Sequence, residues 1–221
     1  MPFVKADAKT ISEAFEQFSD EKTNFITIIT EAFTYDTNAA FSILSLLPLV
    51  TVDLDMLPVT LLGSGEESIA FGIGFLGAKD VKSGENKNGY FVSHSNDEGV
   101  SYMMDIVYDA KSDELLCTSL KDGNENIYVQ YQKTSFGYIA QYYLTYDDGE
   151  SRLFQLSLSG EDGIVGVSRN VDKPVALSGD ENYDFPKTNS EWYAITGNTV
   201  TGLTSDGIDL NFDYTPKPSE P

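Results

Sequence analysis

Residues 126–169 read NIYVQYQKTSFGYIAQYYLTYDDGESRLFQLSLSGEDGIVGVSR, and this stretch decides the fold. Extended segments alternate there with turn clusters such as DDGE at 147–150 and GEDG at 160–163. This spacing predicts consecutive β-hairpins. The same period covers residues 90–169, and no helical segment of ten or more residues interrupts it. Parallel strands need such crossovers, so we predict an antiparallel meander.

The alternation of residue types within these strands assigns their two faces. A two-residue loop at 134–135 would pair Tyr131 with Tyr138, and a three-residue loop at 148–150 would pair Leu144 with Phe154. One face is then apolar and is expected to form the core. The opposite face is polar and rich in tyrosine and glutamine; it carries Tyr128, Gln130, Gln141, Tyr143, Thr145, Gln155 and Ser157.

The N-terminal third follows a different pattern. Apolar residues at helical spacing predict a short helix over residues 10–18. Residues 24–35 fit a strand by their β-branched content and a helix by the spacing of their phenylalanines. A second helix is expected over 39–47, ended by Pro48, and two short strands over 50–54 and 59–62. A last hairpin system is expected within residues 191–213.

These elements predict one α+β domain over residues 1–214, with a Pro-rich tail or linker at 215–221. N-terminal helices should pack on a meander of about eight to twelve strands, a sheet long enough to curl. A helix followed by a curled antiparallel sheet resembles the half-barrel of bacterial lipoprotein carriers and related envelope lipoproteins. The resemblance is architectural and covers most of the chain; no family motif accompanies it, so it implies no functional residue.

Charge and composition limit the possible partners. The chain has 14 Lys and Arg against 35 Asp and Glu, a net charge of −21, which argues against nucleic acid and against an anionic membrane surface. With 41% hydrophobic residues the chain should nevertheless fold. The single cysteine, Cys117, excludes an internal disulfide. A lone cysteine ordinarily favours a reducing compartment, but many bacterial surface proteins also avoid cysteine, and high acidity suits an exported domain equally well. We expect an extracellular or envelope location, with no signal peptide in this chain.

The most apolar stretch, residues 39–62, is not expected to cross a membrane. It contains Pro48, Pro58, Asp53 and Asp55. A spanning helix needs about 20 nearly uninterrupted apolar residues, and a central aspartate is costly there.

Two local motifs imitate ligand sites. GIGFLG at 72–77 matches a dinucleotide-binding fingerprint, but the following residues have no apolar helical stripe, so we interpret it as a glycine-rich bent strand. DGNEN at 122–126 begins like a calcium loop, but Ile127 and Lys133 occupy positions that require Gly and Glu. We therefore expect no cofactor and no metal, while acidic turns at 147–150 and 180–184 leave calcium binding open.

Catalytic arrangements are also scarce. His94 is the only histidine, and the expected register separates it from Cys117 by about six residues along a strand, roughly 20 Å. Asp53 and Asp55 would lie on the same side of an extended segment, about 7 Å apart, and are the only carboxylate pair in an apolar setting. A solvated edge explains that pair more simply than glycosidase chemistry.

The tyrosine and glutamine face is the one sequence feature that suggests binding. Aromatic rings flanked by amides suit sugars, peptides or apolar ligands, and a good strand-forming role for tyrosine is the simpler alternative. We expect a non-enzymatic, exported envelope or surface domain that binds an apolar or peptide-like ligand in a curved sheet. The alternative is a surface adhesin or carbohydrate-binding module that uses an exposed tyrosine and glutamine face of the sheet. A carboxylate-dependent hydrolase is a third. The candidate binding residues are Tyr128, Gln130, Gln141, Tyr143, Gln155 and Trp192.

Overall fold

The structure, a computed structural model, describes residues 6–216. Helices occupy the N-terminal third. The α-helices are α1 (Ala8–Ala32), α2 (Ile43–Asp55), α3 (Leu57–Leu61) and α4 (Glu66–Gly74), with 3₁₀ turns at Phe33–Tyr35, Ala40–Ser42, Leu62–Ser64 and, far along the chain, Phe185–Thr188. Most of the expected tail, residues 217–221, lies outside the described residues.

Within residues 79–213, eleven strands form one antiparallel sheet in sequence order. The strands are β1 (Lys79–Glu85), β2 (Tyr90–Ser95), β3 (Ser101–Asp109), β4 (Glu114–Lys121), β5 (Asn124–Lys133), β6 (Tyr138–Thr145), β7 (Ser151–Ser159), β8 (Asp162–Arg169), β9 (Glu191–Thr196), β10 (Thr199–Leu203) and β11 (Asp209–Asp213). Each strand pairs with its sequence neighbours, and β1 does not pair with β11. The predicted α+β class and the meander over 90–169 are therefore confirmed, with the sheet open.

The predicted faces are right, but the predicted pairings are each wrong by two residues. Tyr131 pairs with Ala140 rather than Tyr138, and Leu144 pairs with Arg152 rather than Phe154. Both loops are two residues longer than expected. A shift of two preserves which side chains share a face, which is why the face assignment survives.

Gly137 explains the longer loop between β5 and β6. Its φ of +146° disfavours other residues, and a Cβ there would lie 2.0 Å from the Leu158 carbonyl oxygen. The Thr134 amide donates to the Gly137 carbonyl at 2.7 Å and closes a four-residue loop. The backbone of this loop therefore crosses close to β7, where only glycine fits.

Helix α1 is much longer than the predicted helix over 10–18. Asp7 caps it by accepting a hydrogen bond from the Thr10 amide at 2.9 Å. The ambiguous residues 24–32 continue the helix, because Phe25, Ile26 and Ile29 are buried on the side that faces the sheet. Tertiary burial here outweighs the strand preference of β-branched residues.

The structure corrects the expectations for residues 39–62. Pro48 does not end a helix; it lies inside α2, and the strands expected at 50–54 and 59–62 are helical. Proline removes the hydrogen bond to the Leu44 carbonyl, but that turn faces solvent, where water can satisfy the oxygen. Leu46, Leu49 and Val52 are buried at helical spacing, and this burial offsets the cost of the proline.

The helices cover the apolar face of the sheet. Phe18 of α1 stacks on Tyr131 of β5 with ring centroids 4.3 Å apart, and Phe33 meets the ring of Tyr193 on β9 at 4.8 Å. On β8, a Cβ at Gly163 would lie 2.6 Å from the Phe25 ring, so the missing side chain lets the helix approach. Helix α1 thus crosses the sheet from β5 to β9.

Candidate functional site

The structure places five of the six predicted binding residues next to one another. Tyr128 pairs with Tyr143 and Gln130 with Gln141 across β5 and β6, and Gln155 of β7 pairs with Gln141. Trp192 lies on β9 in the same cross-strand row, separated from Gln155 by Gly166. These residues occupy the face opposite to the helices, as the alternation predicts.

The predicted exposure of that face is wrong, because residues 170–190 lie over it. Gln130 accepts the Leu177 amide at 2.8 Å and donates to the Leu177 carbonyl at 3.2 Å, as a neighbouring strand would. Gln141 donates to the Val175 carbonyl at 3.0 Å, and Tyr143 donates to the Val171 carbonyl at 3.1 Å. The glutamines do bind a peptide, but it is a segment of the same chain. We call residues 170–190 the covering segment.

Asp53 and Asp55 do not form a pair of equivalent carboxylates. Because they lie two residues apart on a helix rather than on a strand, they point in different directions. Asp53 forms an ion pair with Lys22 of α1. Asp55 lies at the end of α2. Partial burial removes water from its carboxylate and raises the pKa of Asp55.

The other catalytic and cofactor patterns are also dispersed. His94 pairs with Tyr102 and Cys117 with Ile106, four residues farther along β3, which is roughly 13 Å at about 3.3 Å per residue. Burial raises the pKa of the Cys117 thiol. The GIGFLG motif is not a bent strand: it begins in the last turns of α4 and leads into β1, so no helix begins there. No group of three or more metal-binding side chains occurs within residues 6–216.

A cavity of about 230 Å³ lies where α2, α3 and α4 meet strands β2 to β5. Its apolar wall comprises Leu54, Pro58, Ile73, Leu76, Ala78, Val92, Met104 and Ile127. Polar residues lie at the same surface, namely Asp55, His94, Asn96, Tyr102, Ser119 and Asn126. Asn126 is positioned by a bulge, since Ser119 pairs with Ile127 but Leu120 already pairs with Glu125.

Two polar atoms at this cavity are buried without a hydrogen-bond partner. They are Nδ1 of His94 and Oδ1 of Asn126. Leaving such an atom unpaired costs about 1–3 kcal/mol, so it is normally satisfied in the functional state. Burial also lowers the pKa of His94, which favours the neutral imidazole. The cavity therefore combines an apolar wall with unused hydrogen-bonding capacity.

A second cavity, of about 270 Å³, continues from the first. The two share Asp55, Tyr102, Asn126 and Ile127. The second extends towards Leu144 and Tyr146 and is flanked by Pro48 and Thr51 of α2. Together they form one cleft between α2 and the sheet, with Asp55 and Asn126 near its middle.

The helices around the cleft expose an unusual amount of apolar surface. The exposed large side chains there are Phe41, Leu44, Leu47, Val50 and Leu54 on and beside α2, and Phe71, Phe75 and Leu76 on and beside α4. Phe41 and Phe75 are 79% and 78% exposed. Leu54 and Leu76 also line the cavity, so this surface, which we call the apolar rim, reaches the mouth of the cleft.

One helical stretch, Ala40–Ser64, is long and apolar enough to cross a membrane, with a mean hydropathy of 1.7 and about a third of it buried. This criterion considers only the length and composition of the stretch, and a helix packed in a protein core can meet it as well. Within the described residues, the stretch packs on the sheet and contains Asp53, which pairs with Lys22. The expectation that it does not cross a membrane stays a prediction.

The sequence did not identify this cleft. The sequence assigns His94 to no site and places Asn126 in a stretch that begins like a calcium loop. Two signals pointed in the right direction: a lone histidine in an apolar alternation, and an apolar segment interrupted by Asp53 and Asp55. Neither indicates which strands the helices approach.

No protein-family model, curated protein or solved structure is similar enough to this chain to count as a match. Function therefore has to be inferred from the residues of the cleft themselves.

Proposed function

We propose that this chain is a non-enzymatic binding domain that holds a small apolar ligand in the cleft between α2, α4 and strands β2 to β5. The observation that carries the proposal is the apolar cavity at which two polar atoms, His94 Nδ1 and Asn126 Oδ1, have no partner. A ligand with an apolar body and one polar group would satisfy both features. An apolar cavity of about 150 Å³ accepts benzene, so a cavity of about 230 Å³ has room for a larger ligand.

The apolar rim supports the same function. Leu54 and Leu76 are 59% and 56% exposed and also line the cavity. An apolar ligand could therefore leave water gradually along this surface before it enters the cavity. The exposed area has no explanation in the stability of the isolated chain, because apolar side chains in water contribute little to folding.

The proposal includes the architecture and location expected from the sequence. The sheet would curl around the helices as a half-barrel, as in the lipoprotein carriers, and the domain would work outside the cell or at the bacterial envelope. The net charge of −21 is compatible with export. The adhesin alternative needs an exposed tyrosine and glutamine face, which the covering segment occupies.

A thermal shift experiment tests the proposal with three eight-carbon probes: n-octylamine, n-octanol and octanoate. A ligand that binds only the folded state stabilises it by about 2.7 kcal/mol at a hundredfold excess over its Kd, so at least one probe should raise the Tm. Ser119→Leu, which places a larger side chain in the cavity wall, should abolish the shift. Ser93→Leu is the matched control, because Ser93 lies on the opposite face of the sheet.

The proposal is wrong if none of the three probes raises the Tm of the unmodified protein. It is also wrong if Ser119→Leu folds normally and keeps the full shift, because binding would then lie elsewhere.

A further inference from the structure

The cleft has hydrogen-bond acceptors but no unpaired cationic side chain among the residues that line it. The Asp55 carboxylate and the unpaired Asn126 Oδ1 are acceptors, and both line the two cavities. Lys121 is the lysine that lines the cleft, and its ammonium already donates to both carboxylate oxygens of Asp147 at 2.7 and 2.6 Å. Among residues 6–216, no other lysine or arginine lines either cavity. The charge available to a ligand is therefore negative.

The surrounding sequence has the same bias. Between Lys22 and Lys79 the chain contains no lysine or arginine, and this interval includes α2, α3 and α4. It contains six acidic residues, and one of them, Asp53, is paired with Lys22. The six are Glu31, Asp36, Asp53, Asp55, Glu66 and Glu67. The whole chain carries −21. Long-range and local fields both favour the approach of a cation and oppose that of an anion.

We propose that the ligand of this cleft is a cationic amphiphile, an alkyl or aryl amine, whose ammonium group donates to the Asp55 carboxylate and to Asn126 Oδ1. The inference rests on the proposed function and adds the chemical class of the ligand. The apolar part of the amine lies against the cavity wall, where Ile73, Val92 and Met104 are available.

Each alternative head group fits less well. A carboxylate would meet Asp55 and would find Lys121 already occupied by Asp147. A neutral hydroxyl can donate to Asn126 Oδ1 but gains nothing from the negative field. An ammonium has three donors, so it can satisfy Asn126, bind Asp55 and still donate once more. Charge-assisted hydrogen bonds are roughly twice as strong as neutral ones.

Isothermal titration calorimetry at pH 8 with n-octylamine, n-octanol and octanoate tests this class directly. An alkyl ammonium remains charged at this pH, as lysine does. We expect octylammonium to bind at least tenfold more tightly than octanol, and octanoate to bind most weakly. These three probes share one apolar chain, so the differences report on the head group alone.

Variants of the two proposed acceptors sharpen the test. Asp55→Asn should weaken octylammonium binding about ten- to hundredfold, in line with the loss of a charged hydrogen bond, and should change octanol binding less than threefold. Asp172→Asn removes the same charge from an exposed position in the covering segment and should affect neither probe. Asn126→Asp should strengthen octylammonium binding, a gain that a folding defect cannot imitate.

The possible outcomes separate this inference from the proposed function. If octanol or octanoate binds as tightly as octylammonium, or if Asp55→Asn and Asp172→Asn have equal effects, the cationic class is wrong and the apolar site remains. If none of the probes binds, the proposed function itself fails.

Discussion

At the residue scale, Lys22 is the most unusual side chain in the core. It is 1% exposed, donates to the Leu49 carbonyl at 3.3 Å, pairs with Asp53 and lies 5.2 Å from the centre of the Tyr142 ring. Burial lowers the pKa of its amine. A buried ammonium persists in a fold only when it is paired, so Lys22 ties α1 to α2 above the sheet.

Removing Asp53 should therefore destabilise the protein strongly. Asp53→Ala leaves a buried, unpaired ammonium, and we expect a loss of about 3–5 kcal/mol in the free energy of unfolding. Urea denaturation measures this loss. Glu13→Ala is the matched control, since it breaks the exposed Lys9–Glu13 pair, which should contribute less than about 1 kcal/mol. Equal losses in the two variants would contradict the role of Lys22.

His94 gives the cleft a defined pH dependence. Because burial lowers its folded pKa below the ordinary value of 6.5, the unfolded chain takes up a proton before the folded protein does as the pH falls below 6.5. The free energy of unfolding should therefore decrease as the pH falls from 6.5 to the folded pKa of His94. Above pH 6.5 this histidine should not affect it.

His94 is the only histidine, so an NMR titration of its imidazole resonances measures the pKa without ambiguity. We expect a midpoint below 6.5 in the native protein and close to 6.5 in urea. His94→Gln should remove the corresponding part of the slope of Tm against pH. A native midpoint at or above 6.5 would show that the imidazole is not desolvated in the cleft.

At the element scale, α2 has one buried face and one exposed face, and both are apolar. Leu46, Leu49 and Val52 face the core, whereas Leu44, Leu47 and Leu54 face solvent. The spacing of hydrophobic residues therefore does not identify the exposed side of α2. Continuous apolar runs predict strands at 50–54 and 59–62 instead of helices. Only packing against the sheet distinguishes the two faces.

Neighbouring leucines of α2 test this assignment. Leu46 is 1% exposed and Leu47 is 48% exposed. Leu46→Ala should lower the free energy of unfolding by about 2–5 kcal/mol, because it leaves a cavity in the core. Leu47→Ala should change it by less than about 0.5 kcal/mol. Chemical denaturation of the two variants makes the comparison, and equal effects would mean that α2 is oriented differently.

The covering segment is a second element whose role depends on a few amides. It has no regular strand between residues 170 and 184, and Gln130 supplies both a donor and an acceptor to Leu177. Gln130→Leu removes these bonds and leaves the Leu177 amide and carbonyl without them. Local opening should then require less free energy than global unfolding.

Hydrogen exchange measures this local opening. In Gln130→Leu the amides of residues 175–179 should exchange faster, while those of β6 and β7 keep their protection. Gln17→Leu, on the exposed side of α1, should leave exchange in the covering segment unchanged. Unchanged exchange at 175–179 in Gln130→Leu would show that the segment is held by other contacts.

At the scale of the whole molecule, the sequence predicts the sheet better than the helices. Turn clusters and alternating residues are local signals, so the meander and the two faces follow from them. The register does not, because loop length at residues 134–137 depends on the close approach of Gly137 to β7. Residues 24–32 and 43–55 are helical because of burial against strands far along the chain, which no local pattern reports.

The cleft is predictable from sequence only in part. The expectation of an apolar ligand comes from sequence patterns, whereas the polar atoms of the cleft come together only through tertiary structure. Asp55, His94 and Asn126 belong to three separate elements, and a bulge positions Asn126. The tyrosine and glutamine row was placed correctly on one face, yet its burial depends on the covering segment, whose irregular sequence predicts no partner.

The long reach of α1 also determines how the chain must be made. Phe33 contacts Tyr193, so the first helix leaves the ribosome long before its last partner strand exists. At about 5–20 residues per second, synthesis of the intervening chain takes roughly 10–30 s. During that interval α1 can pack on strands such as β5, which precede β9 in the chain, but its last partner strand is missing. The contact between Phe33 and Tyr193 can therefore form only after β9 has been synthesised.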